Sequence, residues 1–218
     1  MKKTILTLAI LFFSVTAFCQ RLKPTKIDSL VTVLLPDTYI KKDTLGQQVF
    51  TANSMYGYMI VIRANNAKNN APLKQEKDLN KVFKEYISGI QGQSNNATAQ
   101  HIRDTTIGTL KAKLFTLDTE EENGDIKLRN FILIYTTDAT YTFEYGYESI
   151  SADVAQTEYK TFVNSIKLSH DLQRNDQYLF NTISMSSSLK MALIGGACLL
   201  IVLIIILIVK RRRKLALD

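Results

Sequence analysis

The residues of this chain whose types could do chemistry are few: His101 and His170, Cys19 and Cys198, and a run of carboxylates at Asp118, Glu120, Glu121, Glu122 and Asp125. Two histidines ligate a metal together when a spacing such as H-x-x-x-H puts them on one helical face, and these two fall in different predicted elements. Cys19 ends a leader-like stretch and Cys198 lies in a long apolar run, so the folded part has no thiol for a disulfide, a zinc cluster or a nucleophile. The carboxylate run has the hard oxygen ligands that Ca²⁺ prefers, but it lacks the alternating spacing of an EF-hand loop and reads as a solvated turn. No G-x-S-x-G elbow, P-loop or dinucleotide fingerprint occurs. The one enzymatic expectation left is a hydrolase whose acid and base are carboxylates such as Asp104 and Asp118, brought together by a sheet. The reading therefore names no catalytic residue, no cofactor and no metal ligand.

Tyrosines offer a different chemistry. A tyrosine joins apolar area to a hydrogen-bonding tip, which suits recognition, and Tyr56, Tyr58, Tyr141 and Tyr145 form the candidate recognition surface. Ordinary sheet packing is the competing role for the same residues. Asn96-Ala97-Thr98 is a glycosylation sequon that we expect to be unmodified.

Charge and hydropathy divide the chain. Of the formal net charge of +7, Lys2 and Lys3 supply +2, and Lys210, Arg211, Arg212, Arg213 and Lys214 less Asp218 supply +4, leaving +1 between residues 20 and 190. A near-neutral domain lacks the basic footprint of a nucleic-acid binder. Residues 1–19 have a basic start, an apolar run from Ile5 to Phe13 and a small-residue approach to Cys19, the pattern of a cleaved secretory signal. Phe18 before Cys19 argues against lipidation. Residues 191–209 carry no charge, and at about 1.5 Å per residue they reach about 28 Å, close to a hydrocarbon core of about 30 Å. The basic cluster Lys210–Lys214 then sets a single span with the N-terminal part outside and the C-terminus in the cytoplasm. A sorting tail cut near Gly195 and Gly196 is the alternative.

Between these ends the pattern predicts one α+β domain over residues 20–168, an antiparallel sheet covered by two helices. Val31–Leu35, Gln48–Asn53 and Tyr58–Arg63 read as strands, the last two as a hairpin around Gly57. Leu79, Val82, Phe83, Tyr86, Ile87 and Ile90 recur at the helical period. Strands follow over 99–106, 110–117, 126–135 and 140–147, with Asn123-Gly124 supplying a tight turn and with Tyr141, Phe143, Tyr145 and Tyr147 on one face. A second helix starts at Ser151, which can cap it, and buries Ala155, Tyr159, Phe162, Val163 and Ile166. Residues 169–190 lack a period and read as a tether, with Tyr178 and Phe180 near lipid headgroups.

The order of these elements, the stretch Gly108, Leu110, Ala112, Leu114, Phe115 and the closing Phe162-Val-Asn-Ser-Ile-Lys-Leu168 are similar to the PsbP-like family over about residues 27–168. The resemblance implies an α/β/α sandwich around an antiparallel sheet. Its motifs describe core packing, so it carries no functional residue onto this chain. The expected function is a non-catalytic extracytoplasmic interaction or scaffolding domain, anchored in a bacterial inner membrane beside an envelope protein partner. The alternatives are the carboxylate hydrolase and a small-ligand-binding sensor.

Overall fold

Alternation of apolar and polar residues is what builds the centre of this molecule. The computed structural model describes residues 22–66, 73–94, 97–120 and 124–179. In β7 (Leu110–Glu120) Leu110, Ala112 and Leu114 point to one face, and Phe115 and Leu117 to the other. In β8 (Ile126–Tyr135) Ile132 and Ile134 oppose Phe131, Leu133 and Tyr135 in the same way. Strands apolar on both faces must be covered on both. They are the interior of a seven-stranded antiparallel sheet ordered β3-β4-β5-β9-β8-β7-β6. The other members are β3 (Ile40–Thr44), β4 (Gln47–Asn53), β5 (Tyr58–Asn65), β6 (Ala99–Ile107) and β9 (Ala139–Glu148).

The first helix, α1 (Glu76–Gln93), buries Leu79, Phe83 and Ile87, the core of the predicted stripe, against Phe115, Leu117, Phe131 and Leu133. Asp78 accepts from the Gln75 N–H at 3.0 Å and closes its N-terminus. The second, α2 (Ala152–Asn164), lays Ala155 and Phe162 on the opposite face, over Tyr141, Phe143, Tyr145 and Tyr147. A small sheet ordered β1-β2-β10 completes that layer, from β1 (Leu22–Lys26), β2 (Val31–Pro36) and β10 (Lys167–Leu168). The expected α+β architecture, with an antiparallel sheet and two helices, is therefore present.

Four expectations change. A strand, β1, precedes Val31, and β3 precedes Gln48; both are edge strands, and β3 is exposed along its whole length, so neither shows an apolar period. Ser151 occupies the N-cap position of α2 without a side-chain capping bond, because a short 3-10 turn at Ser149–Ser151 leads into the helix. The segment from Ser169, expected as tether, is packed structure through Leu179. Leu172 and Tyr178 are buried. Gln177 accepts from the Lys111 N–H at 2.7 Å and donates to Lys111 O at 2.8 Å and Tyr135 O at 2.9 Å, imitating a strand beside β7. Tyr178 thus lies in the core under α1, away from any headgroup.

No helix among the described residues is long and apolar enough to cross a membrane. The leader 1–19, the apolar stretch 191–209, the basic cluster Lys210–Lys214 and Phe180 lie outside the described residues, as do 121–123 of the β7–β8 turn.

Candidate functional site

Strand β9 decides the fate of the tyrosines. Its odd positions face α2, so Tyr141 and Tyr145 are buried, at 1% and 0% exposure, and neither can meet a partner. The Tyr141 hydroxyl donates to Asp28 Oδ2 at 2.6 Å, and Arg63 Nε donates to the same oxygen at 2.6 Å. Asp28 Oδ1 accepts from the N–H of Leu30 and of Val31. This knot ties the small sheet to the large one. Burial works to raise the Asp28 pKa, but the donors Tyr141, Leu30, Arg63 and Val31 together hold it below its ordinary value. Burial, then the Asp28 carboxylate, pushes the Tyr141 phenol far up. The Tyr145 hydroxyl donates to Glu158 Oε2 on α2 at 2.7 Å, and burial raises its pKa strongly.

Glu158 also holds the turn between β4 and β5. Its carboxylate oxygens accept from the N–H of Met55 at 3.4 Å and of Tyr56 at 3.3 Å. The backbone is fixed while the Met55 and Tyr56 side chains stay 49% and 40% exposed. Ile40 pairs with Thr51 at the same end of the sheet and is 58% exposed, next to Tyr39 at 37%. The outer corner of the β3–β4–β5 hairpins thus presents four large apolar side chains. Of the four, Ile40 borders a hollow of ≈ 350 Å³, lined also by Thr51, Tyr58 and Ile60, while Tyr39 lies against Phe50 at 5.9 Å between ring centroids.

Tyr58 links this corner to a buried charge pair. Its cross-strand neighbour is Gly146, and the tyrosine ring lies so close over that glycine that a Cβ there would run into it. The hydroxyl thereby reaches Glu144 Oε1 at 2.8 Å. Glu144, 4% exposed, also accepts from Arg129 Nε at 2.7 Å and Nη2 at 3.1 Å, and Arg129 Nη1 donates to Ser94 Oγ at the end of α1 at 2.7 Å. Burial, then the Glu144 charge, pushes the Tyr58 phenol far up. Burial alone would depress Arg129, and its bonds to Glu144 reverse this and hold it above its ordinary value. The pair floors one end of a groove of ≈ 560 Å³ between α1 and the sheet. That groove exists because α1 covers β7 and β8, whereas Val49, Ile60 and Ile62 of β4 and β5 remain half-buried beside it.

Of the tyrosines named from the sequence, Tyr56 is exposed and Tyr58 is tied to Glu144, while Arg129, Glu144 and Glu158 were not singled out. These sit on separate elements, and no local pattern brings them together. The expected acid and base are kept apart. Asp104 faces Lys113 on β7 and bridges it at 2.5 Å, and Asp118, five positions along β7, is about 17 Å away at about 3.4 Å per residue. Asp118 accepts instead from Gln100 Nε2 at 3.0 Å. His101 sits with positive φ at a bulge in the edge strand β6, and His170 is exposed after β10.

No family model matches the chain, and no curated protein matches it. Solved structures of similar shape include the following two. The solution structure of cyanobacterial PsbP from Synechocystis covers 70% of this chain and 95% of its own, at 14% identity and a TM-score of 0.48. A crystal structure from Bacteroides thetaiotaomicron covers 65% of this chain and 46% of its own, at 14% identity and a TM-score of 0.40. The PsbP resemblance drawn from the sequence names the first of these, while the architecture described above rests on its own strand order.

Proposed function

We propose that this chain is a non-catalytic recognition domain, held at the outer face of a membrane by the apolar stretch 191–209 with the basic cluster Lys210–Lys214 inside, and that it binds an envelope protein through the corner of β3, β4 and β5. The observation that carries the reading is the set of four exposed apolar side chains at this end of the sheet, Tyr39, Ile40, Met55 and Tyr56, the last two on a turn whose backbone Glu158 holds. Aromatic and Met side chains on a rigid support are the usual anchors of protein interfaces. Glu144 is buried, Asp28 and Glu158 are half-buried, and all three carboxylates are engaged by structural donors, which favours binding over acid–base chemistry. An anchored domain also meets its partner within the membrane plane, which raises the effective concentration.

The test is capture in intact cells with the full tagged chain. Ile40→Lys together with Tyr56→Ala should lower recovery of the captured protein by more than about tenfold, as loss of an interface anchor does. Leu45→Lys, at the opposite end of the β3–β4 hairpin, should leave recovery unchanged. Equal recovery from both variants, with unchanged thermal unfolding, would overturn the proposal.

A further inference from the structure

The groove beside α1 has a chemistry separate from the corner. One wall is a single flank of α1, where Glu85, Tyr86, Gly89, Ile90, Gln93 and Ser94 recur at the helical period. That flank is about 13 Å long at about 1.5 Å per residue. Opposite stand Ile62 and Ala64 of β5, with Phe131 as the floor. Its ≈ 560 Å³ falls in the range of small-molecule sites, about 300 to 1,000 Å³.

Polarity is graded along it. Gln47 lies at one end, and Gln93, Ser94 and the Arg129–Glu144 pair lie at the other, with Ile62, Ile90 and Phe131 between them. The charges at the far end are already neutralised: Glu144 accepts two bonds from Arg129 and one from Tyr58. At this end an anion would have to displace Glu144 from Arg129, and a cation would have to displace Arg129 from Glu144; on the α1 wall the exposed Glu85 is bridged to Lys81 at 3.9 Å. Neutral groups at the two ends have bonding capacity in reserve, since Ser94 Oγ accepts from Arg129 and keeps its own O–H to donate.

Two glycines of α1, Gly89 and Gly92, have open space where a Cβ would stand, and Gly89 is the one that lines the groove. Glycine is the poorest helix former after proline, and α1 gives no structural reason for one here. An added Cβ would meet nothing within 4 Å, and the backbone needs no positive φ. The missing side chain widens the groove at its apolar middle.

We propose that the groove between α1 and β5 binds a small, neutral, elongated molecule with an apolar body and hydrogen-bonding groups at both ends. The body lies against Gly89, Ile90 and Phe131, and the ends meet Gln47 and the Ser94 hydroxyl. This site does not depend on the protein-binding corner, so failure of either proposal leaves the other standing.

The experiment uses the full chain in detergent micelles, labelled at isoleucine methyls and titrated with para-hydroxyacetanilide, which is neutral and polar at both ends. The Ile62 and Ile90 methyls should shift and saturate in the millimolar range expected for so small a ligand. The anionic para-hydroxybenzoate should bind about tenfold more weakly or not at all. Gly89→Leu, which fills the groove with a better helix former, should abolish the shifts without lowering the thermal midpoint. Shifts confined to Ile201–Ile208 would report partition into the micelle and overturn the proposal. So would unchanged Ile62 and Ile90 methyls, equal binding of the anion, or binding that survives Gly89→Leu.

Discussion

Replacing Gly146 with alanine would drive a methyl group into the Tyr58 ring and force its hydroxyl off Glu144. Overpacking of this kind costs about 1–3 kcal/mol. Tyr58→Phe, which removes only the hydrogen bond, should cost about 1 kcal/mol. Urea unfolding of the two variants separates the steric effect from the polar one. The Asp28 knot predicts a pH dependence with a definite sign. Asp28 has a folded pKa below its ordinary 3.8, so it adds stability above that pH and loses it as pH falls through the folded value. Asp28→Asn should lower stability at neutral pH, and the gap to wild type should close in acid. Tyr58, Tyr141 and Tyr145 behave in the opposite sense. Their phenols are pushed far up by burial, so in an absorbance titration they should ionise only as the protein unfolds in alkali. None of these knots was legible in the sequence. Tyr58, Glu144 and Arg129 come from three strands, and only the register of β5, β9 and β8 makes them neighbours.

Elements were read well wherever one face is apolar and the other polar. The stripe of α1 shows this, since one flank faces the core and the rest faces water. Phe83→Ala should therefore cost about 3–5 kcal/mol in a denaturant titration. Strand β9 was placed correctly, but its tyrosines were misjudged as a surface. Its polar face, Thr140, Thr142 and Glu144, is buried as well, which alternation alone does not reveal. Edge strands β1 and β3 were silent for the reverse reason, since a strand with one unpaired edge and little buried area needs no apolar code. The β3–β4 turn carries Leu45 and Gly46 at φ 50° and 78°, a geometry that suits Asn-Gly. Leu45 is 99% exposed and packs on nothing. Leu45→Asn should raise stability by up to about 1 kcal/mol by relieving the left-handed strain, seen as a higher thermal midpoint.

At the scale of the molecule, the folded unit reaches about ten residues further toward the apolar stretch than the strand and helix periods suggest, because Leu172, Gln177 and Tyr178 dock without any regular pattern. Gln177→Ala would leave the Lys111 N–H and two carbonyls unpaired and should cost about 1–3 kcal/mol. The proposed outward orientation makes its own prediction. In intact cells a cysteine at Leu45 should react with an impermeant thiol reagent, whereas one at Ala216 should react only after permeabilisation. The central claim is that the β3–β4–β5 corner meets a protein, and a map of photo-crosslinks tests it most directly. Photoreactive residues would replace Ile40, Tyr56 and Leu45, and Val154 on α2, in the full chain in living cells. The account predicts one crosslinked protein shared by positions 40 and 56 and missing from 45 and 154. The same product from all four positions, or from 154 alone, would contradict it.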